Sequence, residues 1–183
     1  MSARGSWPVL AVGVVLGAAL IAVGGRFVWP LPGGLAPISL QTLAVLVVAF
    51  AVGPLAGTGA VAVYLAAAAA GLPVLANGAS GVAVLLGHGG GYFLGFLAAP
   101  TVATLVAGGG RGYGRALRVL LGGLAAHAVI LVLGVLWLVL WHRQPSGAAI
   151  DLALLPFLVP ALIKSALLAL WVPLSARAGL AWA

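Results

Sequence analysis

Apolar residues run along this chain in long, nearly uncharged blocks, and the breaks between blocks are made by proline and glycine rather than by polar stretches. Residues 7–29 form the first block, long enough to cross a hydrocarbon core, which takes about 20 residues. No small-residue cleavage site follows it, so a transmembrane helix is expected there and not a removable signal peptide. The sequence WPLPGGLAP cannot continue a helix, which makes 30–37 a loop. Residues 38–52 predict a second helix, ended by Gly53-Pro54, and 55–70 a third. Both are short for full spans, a shortfall met by tilt, by an extra turn or by shelter among neighbours. A fourth helix is expected over 92–107, closed by Gly108-Gly109-Gly110, and a fifth over 116–141, the longest uninterrupted apolar run. The sixth runs from 150 to about 174 and is broken by Pro156 and Pro160. The pattern predicts an all-α membrane protein of six transmembrane helices with glycine- and proline-rich outer loops. No polar stretch is long enough for a linker, so residues 1–183 are expected to form a single integral membrane domain.

Between the third and fourth helices lies GLPVLANGASGVAVLLGHGGGYFLGF, residues 71–96, dense in glycine and carrying the polar residues Asn77, Ser80, His88 and Tyr92. Irregular backbone at membrane depth is tolerated only where protein buries it or water reaches it, so this stretch should line a cavity or cap a membrane face. Its inner part, 82–86, reads as a re-entrant or short helical piece.

Composition supports the membrane assignment: 64% of residues are hydrophobic and 5% charged, against about a quarter charged in a soluble domain. The net charge of +7 comes from eight basic residues and a single acid, Asp151. The basic residues sit mostly between apolar runs, as cytoplasmic-loop bias requires, so membrane topology explains them and a nucleic-acid partner is not expected. With six spans, Arg4, Arg111, Arg115, Arg118 and Arg177 share one side, while Arg26 and Arg143 lie on the other. This asymmetry puts both termini in the cytoplasm. The 30–37 loop, the 71–91 stretch and the 142–147 loop then all face outward. Trp29, Trp137, Trp141, Trp171 and Trp182 fall mostly at span ends, where an interfacial belt in contact with membrane lipid accounts for them.

Lys164 is the one charge inside an apolar run. It lies thirteen residues before Arg177, roughly 20 Å up the helix and in the outer half of a core about 30 Å thick. A lysine there snorkels, pairs or faces a wet cavity, and with no intramembrane acid to neutralise it the expected role is to meet an anionic ligand beneath the outer loops. His127, mid-span with Gly123 and Gly134, reads as a histidine hydrogen-bonded between helices. His88, His127 and His142 lack metal-ligand spacing, so no metal site is expected. GHGGGY lacks the Gly-Lys-Ser/Thr ending of a phosphate loop. One carboxylate and no cysteine leave no nucleophile, base and acid to assemble, so no catalytic residues, no cofactor and no enzyme activity are expected.

PISLQTLAVLVVAFAVGPLAG at 37–57, the glycine-rich block at 71–96, GVLWL at 134–138 and LPFLVPALIK at 155–164 together resemble the BioY family, the biotin-specific S components of energy-coupling factor transporters. The resemblance implies a multi-pass protein of a prokaryotic cell membrane that binds biotin, with ATP hydrolysis by separate subunits, a transmembrane coupling protein and two ATPases. The family's last motif usually reads PF-x-x-GD-x-x-K; here Pro160-Ala161 stands in place of Gly-Asp, so the acid that would share a helix face with Lys164 is absent. Asn77 stands at a usual glycine, and His88-Gly89 in place of a usual Pro-Thr pair. A different small vitamin-like substrate, or a solitary facilitator, is the alternative that the loss of the acid keeps open. In the binding site Lys164 is expected to meet an anionic or strongly polar group. Asn77, Ser80, Gln41 and Thr42 would supply hydrogen bonds, and Tyr92 would pack on an apolar or ring portion. On the first helix, Gly13, Gly17, Ala18 and Ala22 make a small-residue face that serves either internal packing or, as the resemblance implies, docking on the coupling protein.

Overall fold

The computed structural model describes residues 7–31, 37–109 and 114–177, with side chains described to Val172. Arg4, Arg111, Gly110 and Trp182, the Arg177 side chain and most of the 30–37 loop therefore lie outside the described residues.

Helix α1 spans Trp7–Gly24. It is shorter than its apolar run because Gly24 and Gly25 pack against the start of the next helix. A Cβ on Gly24 would stand 3.2 Å from the Gln41 backbone nitrogen, and one on Gly25 2.9 Å from the Gln41 amide. The chain turns there and forms a two-residue strand, β1 (Val28–Trp29), antiparallel to β2 (Ile38–Ser39), with Val28 opposite Ser39 and Trp29 opposite Ile38. The expected first and second helices are thus each trimmed at this end, and the trimmed residues pair as two short strands flanking the 30–37 loop.

Helix α2 (Gln41–Val52) and α3 (Pro54–Ala69) meet at Gly53, whose φ of 89° lies in the left-handed region that glycine adopts without strain. A short turn at Ala76–Gly78 and α4 (Val82–Leu85) occupy the glycine-rich stretch. Helix α5 (Gly90–Ala107), α6 (Arg115–Leu140), α7 (Ser146–Ala153) and α8 (Leu155–Arg177) follow. The predicted sixth helix is therefore two pieces, and the break falls at Leu154, ahead of Pro156. Pro156 has no N–H to donate one turn back and its ring clashes with the carbonyl there, so a helix running into it is broken or kinked, whereas proline is tolerated in a first turn. Pro160 continues within α8.

Among the described residues, four apolar segments are long enough to cross a membrane: Trp7–Gly24, Gly90–Ala107, Arg115–Leu140 and Ser146–Val172 across the α7–α8 break. α2 and α3 are shorter apolar helices. At about 1.5 Å per residue they reach only about 18 and 24 Å. The reason α2 can be short is its position: it packs against α1, α3, α5 and α8, and Val45, Leu46, Ala49 and Phe50 are almost fully buried.

Lipid tails are as apolar as leucine, so helices in a bilayer associate through close packing, which small residues permit. The α5–α6 pair shows this directly. A Cβ on Gly95 would fall 2.5 Å from the Ile130 Cα, and one on Gly91 would overlap the Leu133 carbonyl. On the α6 side, a Cβ on Gly122 would overlap the Ala103 carbonyl.

Candidate functional site

Three connections meet at one end of the helix bundle. Arg26, just after α1, donates to the Pro73 carbonyl at 2.7 Å. The Trp137 indole donates to the Gly87 carbonyl at 2.9 Å, and the rings of His88 and His142 stack with centroids 4.3 Å apart. These contacts tie the hairpin, the glycine-rich stretch and the α6–α7 connection over a cavity of about 360 Å³, within the range of small-molecule sites. Its walls are largely apolar: Leu75, Phe93, Phe96, Ile130, Leu131, Phe157 and Pro160 among others. Ser39, Gln41, Thr42, His88, Tyr92, His127 and Lys164 supply the polar lining. No carboxylate is among the lining residues, and Asp151 is exposed on α7.

Lys164 comes from α8, nine residues past its start, and is 8% exposed. Its ammonium donates to the Ser39 carbonyl at 2.6 Å and to the Thr42 hydroxyl at 2.9 Å. Both acceptors sit where β2 turns into α2. The Ser39 hydroxyl also accepts from the Gln41 backbone N–H at 3.4 Å, meeting one of the orphan donors at a helix start. Gln41 is engaged on both sides, accepting from the Ser39 hydroxyl and donating to the Tyr64 hydroxyl. Tyr92 sends its hydroxyl to the Ala153 carbonyl at 2.7 Å and sets its ring 5.6 Å from that of Phe157. That ring position exists because Gly134 has no side chain: a Cβ there would lie 2.5 Å from the ring.

Four of the six residues expected from sequence thus come together: Gln41, Thr42, Tyr92 and Lys164. Asn77 and Ser80 are not among the lining residues. Asn77 is exposed, with a φ of 57°, and the turn presents Ala76 and Ala79 to the cavity instead. Sequence reasoning did not assign Ser39, whose contribution is a backbone carbonyl. Beyond Tyr92 the aromatic wall was also unassigned; the Tyr92, Phe93, Phe96 spacing on α5 is the signal that would have found Phe93 and Phe96. His127 is bonded between helices as expected, with Gly123 on its own helix, Thr42 on α2 and Ser165 on α8 as partners. Among the described residues no group of three or more His, Cys, Asp or Glu could hold a metal.

The small-residue face of α1 is turned inward. A Cβ on Gly17 would stand 2.7 Å from a Val48 methyl and 2.9 Å from the Ala60 Cβ, and one on Gly13 3.1 Å from Val52. Ala18 is buried and Ala22 packs on the core. α2 and α3 occupy this face, whereas Val12, Val15, Leu16, Leu20 and Val23 face outward.

The arrangement is a largely apolar cavity lined by one cation and several neutral hydrogen-bonding groups. The chain is similar in sequence to several relatives. A biotin transporter BioY2 of Lactococcus lactis subsp. cremoris is 33% identical over 86% of this chain and 85% of its own length. A probable biotin transporter BioY of Pyrococcus horikoshii is 35% identical over 84% of this chain and 87% of its own. A biotin transporter BioY of Thermotoga maritima is 36% identical over 83% and 86%. The fold is similar to the crystal structure of the S-component for biotin from an ECF-type ABC transporter, with a TM-score of 0.80 and 25% identity over 97% of this chain and 95% of that one. The sequence matches the BioY family over residues 5–180, and the chain belongs to that family.

Proposed function

We propose that this chain is the biotin-binding membrane subunit of an uptake system energised by a separate coupling protein and two ATPases. The observation that carries the reading is Lys164, a buried cation lining a cavity that lacks a carboxylate, in a chain of the BioY family. An intramembrane cation without an acid is costly unless a ligand or fixed dipoles complete its surroundings. Lys164 has three N–H donors and spends two on Ser39 and Thr42, so the third is available to an acceptor on biotin. Gln41 and Thr42 add polar contacts at the same end, and Tyr92 with Phe157 forms an apolar wall.

In this reading the protein is a single membrane domain of six spans in a prokaryotic cell membrane, with both termini cytoplasmic and the cavity opening outward. α2 and α3 count as spans because neighbouring helices shield their ends. α1 docks on the coupling protein. Gly13, Gly17, Ala18 and Ala22 shape that helix by letting it seat closely on α2 and α3, while its outward apolar strip meets lipid or the partner.

Equilibrium binding of labelled biotin to the purified protein tests the proposal, with Lys164→Ala as comparison. Saturable binding by the wild type, weakened about tenfold or more in the variant, is expected for loss of a hydrogen bond from a charged donor. Unchanged affinity in the variant removes Lys164 from the site. No biotin binding by the wild type turns the reading toward another small vitamin-like ligand, which Ala161 at the usual acidic position favours.

A further inference from the structure

Beneath Lys164 lies a second polar layer with a direction to it. The His127 Nδ1 is 2.9 Å from the Gly123 carbonyl oxygen, which can only accept, so Nδ1 carries the proton. The Ser165 hydroxyl stands 3.1 Å from the same nitrogen and donates its own proton to the Ala161 carbonyl at 2.8 Å, so it too accepts from Nδ1. In the neutral ring Nε2 is then a bare acceptor. It faces the Thr42 hydroxyl at 3.3 Å. Thr42 already accepts from the Lys164 ammonium at 2.9 Å, which leaves its proton for His127.

We propose that His127 is a positioning residue for ligand binding: held as the Nδ1–H tautomer, it takes the Thr42 proton and so keeps the Thr42 oxygen turned to Lys164. Every link in the chain is oriented, from Lys164 through Thr42 to His127 and on to the carbonyls of Gly123 and Ala161. Hydrogen bonds in such a chain polarise one another, which makes the Thr42 oxygen a better acceptor for the ammonium. The consequence is a fixed ammonium: two N–H groups are held by Ser39 and Thr42, and the third keeps one direction. In a cavity without a carboxylate, neutral groups thereby do the work of holding the cation for an incoming acceptor. Without His127 the Thr42 hydroxyl is free to rotate, and Lys164 loses a defined partner. This rests on the biotin-binding reading only for its affinity measurements.

Two experiments test it. The first needs no ligand: the protein is labelled with 15N at histidine, and the imidazole resonances are recorded in detergent. A protonated Nδ1 and a bare Nε2 are expected for His127, with the Nε2 resonance moving in Thr42→Val. An Nε2–H tautomer, a doubly protonated ring, or an Nε2 signal indifferent to Thr42 overturns the proposal. The second is a cycle in biotin affinity. His127→Leu and Thr42→Val should each weaken binding about tenfold, the double variant hardly more than either. His127→Gln, which offers an acceptor at the reach of Nε2, should stay within about threefold of wild type. Independent, multiplying losses, or a Gln variant as poor as Leu, mean that His127 serves packing alone. A wild type that binds no biotin defeats the substrate assignment and leaves the nitrogen resonances to decide the role of His127.

Discussion

Lys164 holds its ammonium against the Ser39 carbonyl and the Thr42 hydroxyl, two groups more than a hundred residues earlier in the chain. Its need for partners was legible in sequence, because a lone charge inside an apolar run has to be satisfied somehow. Its partners were not, because a backbone carbonyl carries no sequence signal. Tyr92 shows the same division. Its place in the cavity wall was expected, but its hydroxyl ends on the Ala153 carbonyl, where only the folded chain could bring it. Tyr92→Phe should lower stability by about 1 kcal/mol, since it leaves that carbonyl without its donor, while keeping the ring wall. Thermal unfolding in detergent, read beside biotin affinity, checks this: stability falls and affinity changes little. Asn77 and Ser80 were chosen as polar residues in the right stretch, but a tight turn alternates which residues face inward, and here Ala76 and Ala79 do.

Helix α1 shows how an element's surface is decided by its neighbours. Gly13, Gly17, Ala18 and Ala22 promise close helix packing from their spacing alone, and the pattern is indifferent to which helix comes close. In the folded chain α2 and α3 do, at Val48, Val52 and Ala60. Gly17→Leu should therefore destabilise the protein by about 1–3 kcal/mol, the usual range for overpacking. Ala19→Leu, on the exposed side of the same helix, should leave the melting temperature unchanged. Equal melting of both variants would show that α1 is not seated as described. Gly91 on α5 is a sharper case, since any Cβ there overlaps the Leu133 carbonyl backbone. Gly91→Ala should reduce the yield of monodisperse protein, because a backbone obstacle cannot move aside as a side chain can.

For the molecule as a whole, the proposed function has accumulation draw its energy from separate coupling and ATPase subunits. Cells expressing this chain alone should show no concentrative uptake of labelled biotin, and cells that also express a coupling protein and two ATPases should show it. Accumulation without those partners would make the chain a solitary transporter. The apolar blocks and their proline and glycine breaks located the six apolar helical segments to within a few residues at most ends, because burial in lipid demands continuous apolar runs whatever their neighbours. The exceptions are where tertiary contacts intervene. α1 stops at Gly24 where it meets α2, and the last apolar run divides at Leu154. The sequence by itself determined the membrane class, most of the breaks and the lysine inside an apolar run, since each follows from the cost of polar groups in hydrocarbon. Only the tertiary structure decided that three separate connections close over one cavity, that the glycines of α1 face inward, and that Lys164 meets Thr42 and, through it, His127. Those facts depend on which helices pack together, and close packing between apolar surfaces is set by three-dimensional fit that no local pattern encodes.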